Sequence, residues 1–305
     1  MGRIMPCGRG LFYLPAARCV MFDFDKPQRY AVMGNPVSHS KSPVIHLQFA
    51  RQCGINLEYD AIQVDPGGFA QAVGQFRANG GKGLNITVPF KLEAFRLADR
   101  KSARAELARA VNILKFDADG TLYGDNVDGL GLVRDLTVNL GVTLKDNTVL
   151  ILGAGGAVRG VLGPLLDERP ASLVIANRTV PKAKELAGQF APYVKNSAMN
   201  KIEAAGYDQL NGRRFGVVIN ATSASLQGEV PPLAGDVFAA NALAYDLMYG
   251  TRPTPFMAWA RQNGAARVAD GLGMLLEQAV ESFFLWHGKR PDARPVMATL
   301  RKSLQ

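Results

Sequence analysis

Cysteine is scarce in this 305-residue chain: Cys7, Cys19 and Cys53 are three, an odd number, and no two stand in a CxxC spacing. That excludes a disulfide framework and a cysteine zinc site, and it fits a reducing, cytoplasmic setting. Histidine is equally sparse; His39, His46 and His287 form no HExxH-type pair, so no metal is expected. No apolar run approaches the roughly 18 residues that a spanning helix needs, so no membrane partner is expected. The net charge of +9 comes without any block of Lys or Arg. Scattered basic residues favour solubility and attract small anions, whereas nucleic-acid binding would need a clustered basic stripe.

At the N-terminus, Arg3 and Arg9 precede Leu11-Phe12-Tyr13-Leu14 in the outline of a secretory leader. The apolar stretch is short and Pro15 interrupts it. Met21 is an equally good start, and residues 1–28 are expected to form a poorly ordered tail.

What is present is alternation. Tyr30–Met33 reads as a first strand, and Ser42-Pro43 opens a helix to about Cys53, with Ser42 as N-cap and Pro43 in the first turn. Leu57–Val64 and Leu84–Val88 read as strands, Gly67–Asn79 and Leu92–Ala98 as helices. Asp119-Gly120 marks a hairpin between Val111–Phe116 and Thr121–Tyr123. Beyond a seam at Asp125–Gly129, a helix is expected over Leu130–Leu140. The run Thr148–Leu152 then stops at Gly153-Ala154-Gly155-Gly156-Ala157. Glycines between a strand and a helix let backbone N–H groups approach a pyrophosphate at the helix N-terminus. Leu173–Ala176 follows and ends in Asn177-Arg178-Thr179, where an arginine in place of an acid suits a 2′-phosphate. Val217–Asn220 and Ala244–Leu247 are further buried strands, and Met274–Trp286 is a long apolar helix. Alternating elements predict parallel sheets with helices on both faces.

Four clusters carry candidate chemistry. Ser38–Pro43 offers hydroxyls before a helix N-terminus, which suits a carboxylate or serves as an ordinary cap. Asn85–Lys91 puts a lysine just past a strand end, either a plain surface lysine or a proton carrier once shielded from water. Gly124–Gly129 gathers acids and amides that grip hydroxyls or cap the next helix. Asn220–Ser223 ends a strand where a cofactor edge could rest.

Together these stretches resemble the shikimate dehydrogenase family. The matching motifs are GNPVSHSKSP (34–43), NITVPFK (85–91), AVN (110–112), GDNVDG (124–129), GAGGAVRG (153–160), NRT (177–179), INATS (219–223), YDLMY (245–249) and ADGLGMLLEQA (269–279). They occur in the family's order from Tyr30 to the C-terminus, whereas residues 1–28 match nothing in it. The chain departs at Ser223-Ala224-Ser225, where Ser-Ser-Gly or Ser-Val-Gly is commoner, and at Lys182, where arginine is common.

The resemblance implies an α/β fold of two domains with a cleft between them. An open α/β substrate domain would span 29–127 plus 271–305, and a Rossmann-type NADP-binding domain 128–270. It implies Lys91 and Asp128 as the catalytic pair, and Ser40, Ser42, Thr87, Asn112, Tyr249 and Gln278 as substrate-binding residues. For NADP it implies Gly153, Ala154, Gly155, Gly156, Ala157, Asn177, Arg178, Thr179, Lys182, Thr222 and Gly271. The implied reaction is reversible NADPH-dependent reduction of 3-dehydroshikimate to shikimate, in aromatic amino-acid biosynthesis, by a monomer or homodimer. The alternatives are a quinate/shikimate dehydrogenase of relaxed specificity and a ligand sensor without turnover. An intact lysine–aspartate pair argues against the sensor.

Overall fold

The computed structural model describes residues 26–195 and 202–303. The expected tail falls, up to residue 25, outside the described residues, as do Cys7 and Cys19. The first half runs β1 (Gln28–Gly34), α1 (Ser42–Cys53), β2 (Leu57–Gln63), α2 (Phe69–Ala78) and β3 (Gly81–Ile86). It continues with α3 (Lys91–Leu97), β4 (Arg100–Lys101), α4 (Ala103–Ala108), β5 (Ile113–Phe116) and β6 (Leu122–Asp125). After α5 (Asp128–Arg134) the second half runs β7 (Thr148–Leu152), α6 (Gly156–Asp167), β8 (Ser172–Ala176), α7 (Val180–Lys195), β9 (Ile202–Ala205) and β10 (Phe215–Asn220). It closes with β11 (Phe238–Asp246), α8 (Pro255–Gln262) and β12 (Arg267–Asp270), followed by α9 (Leu272–His287) and α10 (Ala293–Ser303).

Two six-stranded sheets result, ordered β2-β1-β3-β5-β6-β4 and β12-β11-β10-β7-β8-β9. The second is parallel throughout, and its order reverses between β7 and β10. Its strands are apolar runs because both faces are covered: Val149 and Ile151 enter one core, Leu150 and Leu152 the other. Each such side chain, taken fully out of water, contributes about 1.5–3 kcal/mol. The first sheet is mixed, which corrects the expectation of parallel sheets. Strand β5 runs antiparallel to β3, and the expected Asp119-Gly120 hairpin turns β6 antiparallel to β5. Gly120 takes φ 96°, open to glycine at no steric cost.

Two local expectations are also corrected. Helix α1 begins at Ser42 itself, with Lys41 at the capping position and no side-chain cap. Ser42 instead donates its N–H to Ser40 Oγ at 3.3 Å, which leaves the Ser42 hydroxyl free of capping duty. The expected helix 130–140 starts earlier, at Asp128, and widens into a π-turn over Asp135–Asn139. There the buried Asp135 carboxylate accepts from the Tyr245 hydroxyl at 2.7 Å and from Asn139 at 2.9 Å. Those partners lie far along the chain or one turn away, so no periodicity shows them.

Helix α5 is wedged between α6 and α9. Side chains at Gly129 and Gly131 would collide with α6 and with the α9 backbone, respectively. Helix α9 in turn packs on the first sheet: Leu272, Leu276, Val280 and Phe283 share a core with Tyr30, Val32, Ile45 and Phe49. No helix among the described residues is long and apolar enough to cross a membrane.

In that same core His46 stacks on Tyr59 with centroids 4.4 Å apart, and its Nδ1 has no partner. Burial, with help from His287, lowers its pKa from 6.5 to about 3, so it is neutral when folded. Unfolded chains bind a proton there below about 6.5, so stability is full at pH 7 and is lost as pH falls toward 3. The slope is about 1.4 kcal/mol per pH unit in that window. His287, lowered to about 4, acts in the same direction. Denaturant midpoints at pH 7 and pH 5.5 should differ accordingly, and His46→Gln should flatten the difference. A midpoint equal at both pH values would refute the neutral-histidine account.

Candidate active site

The reversal between β7 and β10 opens a crevice at the carboxyl ends of the strands, where ligands of open α/β sheets bind. Strand β7 leaves the sheet through Gly153 at φ 110° and enters α6 with Gly155 as N-cap. No acidic side chain occupies the first turn of α6, so its free N–H groups and dipole favour an anion there. A cleft of about 440 Å³ lies over this turn. It is lined by Gly153, Ala154, Gly155, Gly156, Ala157, Asn177, Arg178 and Thr222, as the sequence reading expects. Arg178 is exposed at the end of β8, beside Tyr207. Thr179 and Lys182, one turn further on, are exposed and do not line the cleft.

Tyr207, Gln227, Val230 and Pro231 also line it, and sequence reasoning did not name them. Tyr207 and Gln227 belong to two short 3-10 turns, and Val230 and Pro231 to the loop beyond the second; none carries a motif. Val88 reaches in from the first half, its side chain largely exposed. The loop after β10 is fixed from beneath. Asn220 Oδ1 accepts from Thr222 N–H at 3.2 Å and from Thr222 Oγ1 at 2.7 Å. Buried Asp246 accepts from Ser225 Oγ at 2.7 Å, Thr254 Oγ1 at 2.6 Å and Met248 N–H at 3.1 Å. Burial nevertheless raises its carboxyl pKa. Ser225, where the resemblance favours glycine, thus serves as a tether for this loop.

A second polar cluster gathers where α3, the residue before β5, α5 and α9 meet. Lys91, the first residue of α3, donates from Nζ to Asp128 Oδ2 at 2.6 Å. Asp128 is buried, and its other oxygen accepts from Asn112 Nδ2 at 2.8 Å. Asn112 also donates to Gln278 Oε1 at 3.1 Å and accepts the Val127 N–H at 2.9 Å. The backbone locks the group together: Val111 N–H donates to Lys91 O, Asn112 N–H to Asp125 O, and Ile86 N–H to Asn112 O.

The neighbouring Asp125 is spent otherwise. It is buried and held by Ser102, Arg104 and the Asn126 N–H. Of the two acids in the 124–129 loop, only Asp128 turns to Lys91. An ammonium has three N–H donors, so two remain for a ligand oxygen after Asp128 has taken one. Ser40, Ser42 and Thr87 stand half-buried just beyond β1 and β3, on the same sheet edge. Tyr249, past β11, packs against the core that contains Leu272 and Leu276. Burial raises its phenol pKa. Gly271 caps α9, its N–H donating to Met248 O at 3.0 Å, and does not line the cleft over the α6 turn.

A glycine turn at the switch point of a doubly wound sheet, together with a shielded lysine–carboxylate pair in the same chain, defines a two-domain dinucleotide-dependent oxidoreductase of the Rossmann type. Family models agree along the chain. The shikimate dehydrogenase substrate binding domain matches residues 32–114, shikimate / quinate 5-dehydrogenase matches 136–227, and the shikimate 5′-dehydrogenase C-terminal domain matches 271–301. A shikimate dehydrogenase (NADP(+)) of Nitrosospira multiformis is 58% identical over 90% of this chain and 98% of its own. That of Aromatoleum aromaticum is 56% identical with the same coverage. Among solved structures, shikimate 5-dehydrogenase of Thermus thermophilus in complex with NADP(H) and shikimate superposes with a TM-score of 0.79. It shares 30% identity and covers 91% of this chain and 100% of its own. The chain belongs to the shikimate dehydrogenase family.

Two glycines separate structural from ligand roles. A methyl at Gly271 would collide with the Leu247 carbonyl, whereas one at Gly155 meets nothing within 4 Å. Gly271→Ala should therefore cost about 1–3 kcal/mol, read as a drop of several degrees in Tm. Gly155→Ala should leave Tm unchanged. Equal melting temperatures for Gly271→Ala and the parent would show that the α9 cap is loosely packed.

Proposed function

We propose that this chain catalyses reversible NADPH-dependent reduction of 3-dehydroshikimate to shikimate. The observation that carries it is the Lys91–Asp128–Asn112–Gln278 cluster in a chain that also has the glycine turn and its cleft. The residues present fit NADP. The α6 N-terminus suits the pyrophosphate, and exposed Arg178 suits a 2′-phosphate in charge-assisted hydrogen bonds. When bound, NADPH supplies the hydride.

The chain's own residues do the rest. Ser40 and Ser42 hold the substrate carboxylate ahead of α1. Thr87, Asn112 and Gln278 bind ring hydroxyls, and Tyr249 lines the pocket. Lys91 donates a proton to the carbonyl oxygen as it becomes an alkoxide, and in reverse removes the hydroxyl proton. Asp128 keeps the ammonium aimed and orients the same oxygen. Domain limits of 29–127 plus 271–305 and 128–270 suit this division, with Asp128 opening α5 at the seam. The shikimate / quinate description of one family model favours a second reading, in which quinate is also accepted.

Shikimate with NADP should yield absorbance at the NADPH band; the same assay with quinate settles the second reading, and no turnover with either would leave only a ligand sensor. Lys91→Ala should lower kcat at least about a hundredfold with circular dichroism unchanged, since general acid–base groups contribute about 10²–10⁴-fold. A folded variant keeping a tenth of the parent's kcat would remove lysine from the chemical step. Arg178→Ala should raise KM for NADP by about tenfold or more, the worth of a charge-assisted contact of about 1.5–3 kcal/mol, and affect NAD far less. Equal effects on both cofactors would sink the arginine assignment.

A further inference from the structure

Ser225 stands where the family more often has glycine, and its hydroxyl is engaged twice. It donates to Asp246 Oδ2 at 2.7 Å and accepts from Asn220 Nδ2 at 3.3 Å. Asn220 and Asp246 are the last residues of the neighbouring strands β10 and β11, and both are fully buried. Asn220 Nδ2 also reaches Asp246 Oδ1, at 3.2 Å, so the three side chains close a triangle. Thr254 Oγ1 gives a second bond to Asp246 Oδ2 at 2.6 Å, and the Met248 N–H gives one to Oδ1 at 3.1 Å. Both oxygens of a carboxylate held out of water are thereby answered.

What the triangle holds is a wall of the nucleotide cleft. Ala221, Thr222, Ser223, Ala224 and Gln227 line that cleft, whereas Ser225 does not. The 3-10 turn Ala224–Gln227 has backbone bonds that stay within its own loop: Gly228 N–H to Ser225 O at 3.4 Å, and Glu229 N–H to Ala224 O at 2.9 Å. The Ser225 hydroxyl fastens this turn to β11. A hydroxyl bonded to an ionised acceptor makes one of the stronger kinds of hydrogen bond. A wall that is loose in the free protein has to be ordered when a ligand arrives, and the fraction not yet in the receiving shape weakens the apparent affinity.

We propose that Ser225 is a positioning residue for NADP: through Asp246 it keeps the 221–227 wall in the shape that receives the cofactor before the cofactor arrives. The inference rests on the reading of the cleft over α6 as the NADP site. Ser225 itself touches neither cofactor nor substrate in this account. Its loss should therefore appear in cofactor affinity and leave substrate affinity alone.

The test uses the full chain with Ser225→Ala, Ser225→Gly and, as a control, Thr254→Val. The control takes a donor from the same carboxylate oxygen, and the N-cap from α8, without freeing the turn. The readouts are Kd for NADPH by fluorescence titration, KM for shikimate, Tm, and amide hydrogen exchange without cofactor. Ser225→Ala should raise the NADPH Kd about tenfold, the fold-change of one hydrogen bond. Exchange at the Gly228 and Glu229 amides should speed up, and KM for shikimate should stay at the parent's value. Ser225→Gly should weaken NADPH at least as much, because glycine frees the backbone as well. Thr254→Val should lower Tm and leave the NADPH Kd unchanged. An NADPH Kd unmoved by Ser225→Ala overturns the inference, while binding by the parent leaves the cofactor reading standing. An equal rise in Thr254→Val overturns it too, since the effect would then be a general loss of stability, as does equal weakening of NADPH and shikimate by Ser225→Ala. That last comparison carries the test should Thr254→Val fail to fold. If the parent binds no NADPH, the cofactor reading falls and this inference with it.

Discussion

Asp128 is a carboxylate taken out of water, and such a group is tolerated only when its lone pairs are answered. Lys91 answers one oxygen and Asn112 the other. Those partners belong to different elements, and each is placed by backbone bonds to a third. Val111 is tied to Lys91, and Asn112 is tied to both Ile86 and Asp125. The loop carrying Asp128 then enters α5, which can lie between α6 and α9 only because Gly129 and Gly131 permit close approach. Moving the carboxylate would unsettle the ends of β3 and β6 and the seating of two helices at once. The charge pair and the interface between the two sheets are therefore one constraint.

That arrangement separates two kinds of recognition. On one side, unpaired backbone N–H groups at the start of α6 offer a fixed partial positive charge, with no acidic side chain to compete. On the other, side chains supply directed donors and acceptors that are already bonded to each other. A dinucleotide phosphate gains from the first, being anionic and tolerant of exact donor identity. A polyhydroxylated ring gains from the second, because each hydroxyl needs a matched partner. Val88, exposed at the end of the first sheet yet lining the nucleotide cleft, stands where the two meet.

Much of this was legible in the sequence because it is local. The run 148–157 states a strand, a turn and a helix start within ten residues, and Asp119-Gly120 states a hairpin within two. Lys91, Asp128, Asn112 and Gln278 were named from motifs, and the structure brings all four together. Ser42 as a helix cap was read wrongly because capping depends on where the first turn begins, a matter of one residue. The π-turn after α5 escaped notice because the buried partner of its first residue, Tyr245, lies far along the chain on β11. Tyr59 escaped for the same reason. Its partner is Asn85, and only the placing of β2 and β3 on either side of β1 brings the phenol to it.

A local rule does connect the strands to the loops that leave both sheets. Asp125, Asn220, Asp246 and Asp270 are the last residues of β6, β10, β11 and β12, and all four are buried. Each side chain accepts a backbone N–H from just ahead of it: Asn126, Thr222, Met248 and Leu272, respectively. Where a strand leaves its sheet, the ladder of backbone bonds stops and N–H groups are left to be satisfied. Asp and Asn do this with a short side chain that bends the chain away from the sheet. The buried acids at three of these exits need further donors, which are Arg104 for Asp125, Ser225 and Thr254 for Asp246, and Arg301 for Asp270. The loops that carry the proposed ligand contacts are thus anchored at their roots by buried polar groups, so their stiffness does not depend on the ligand being present.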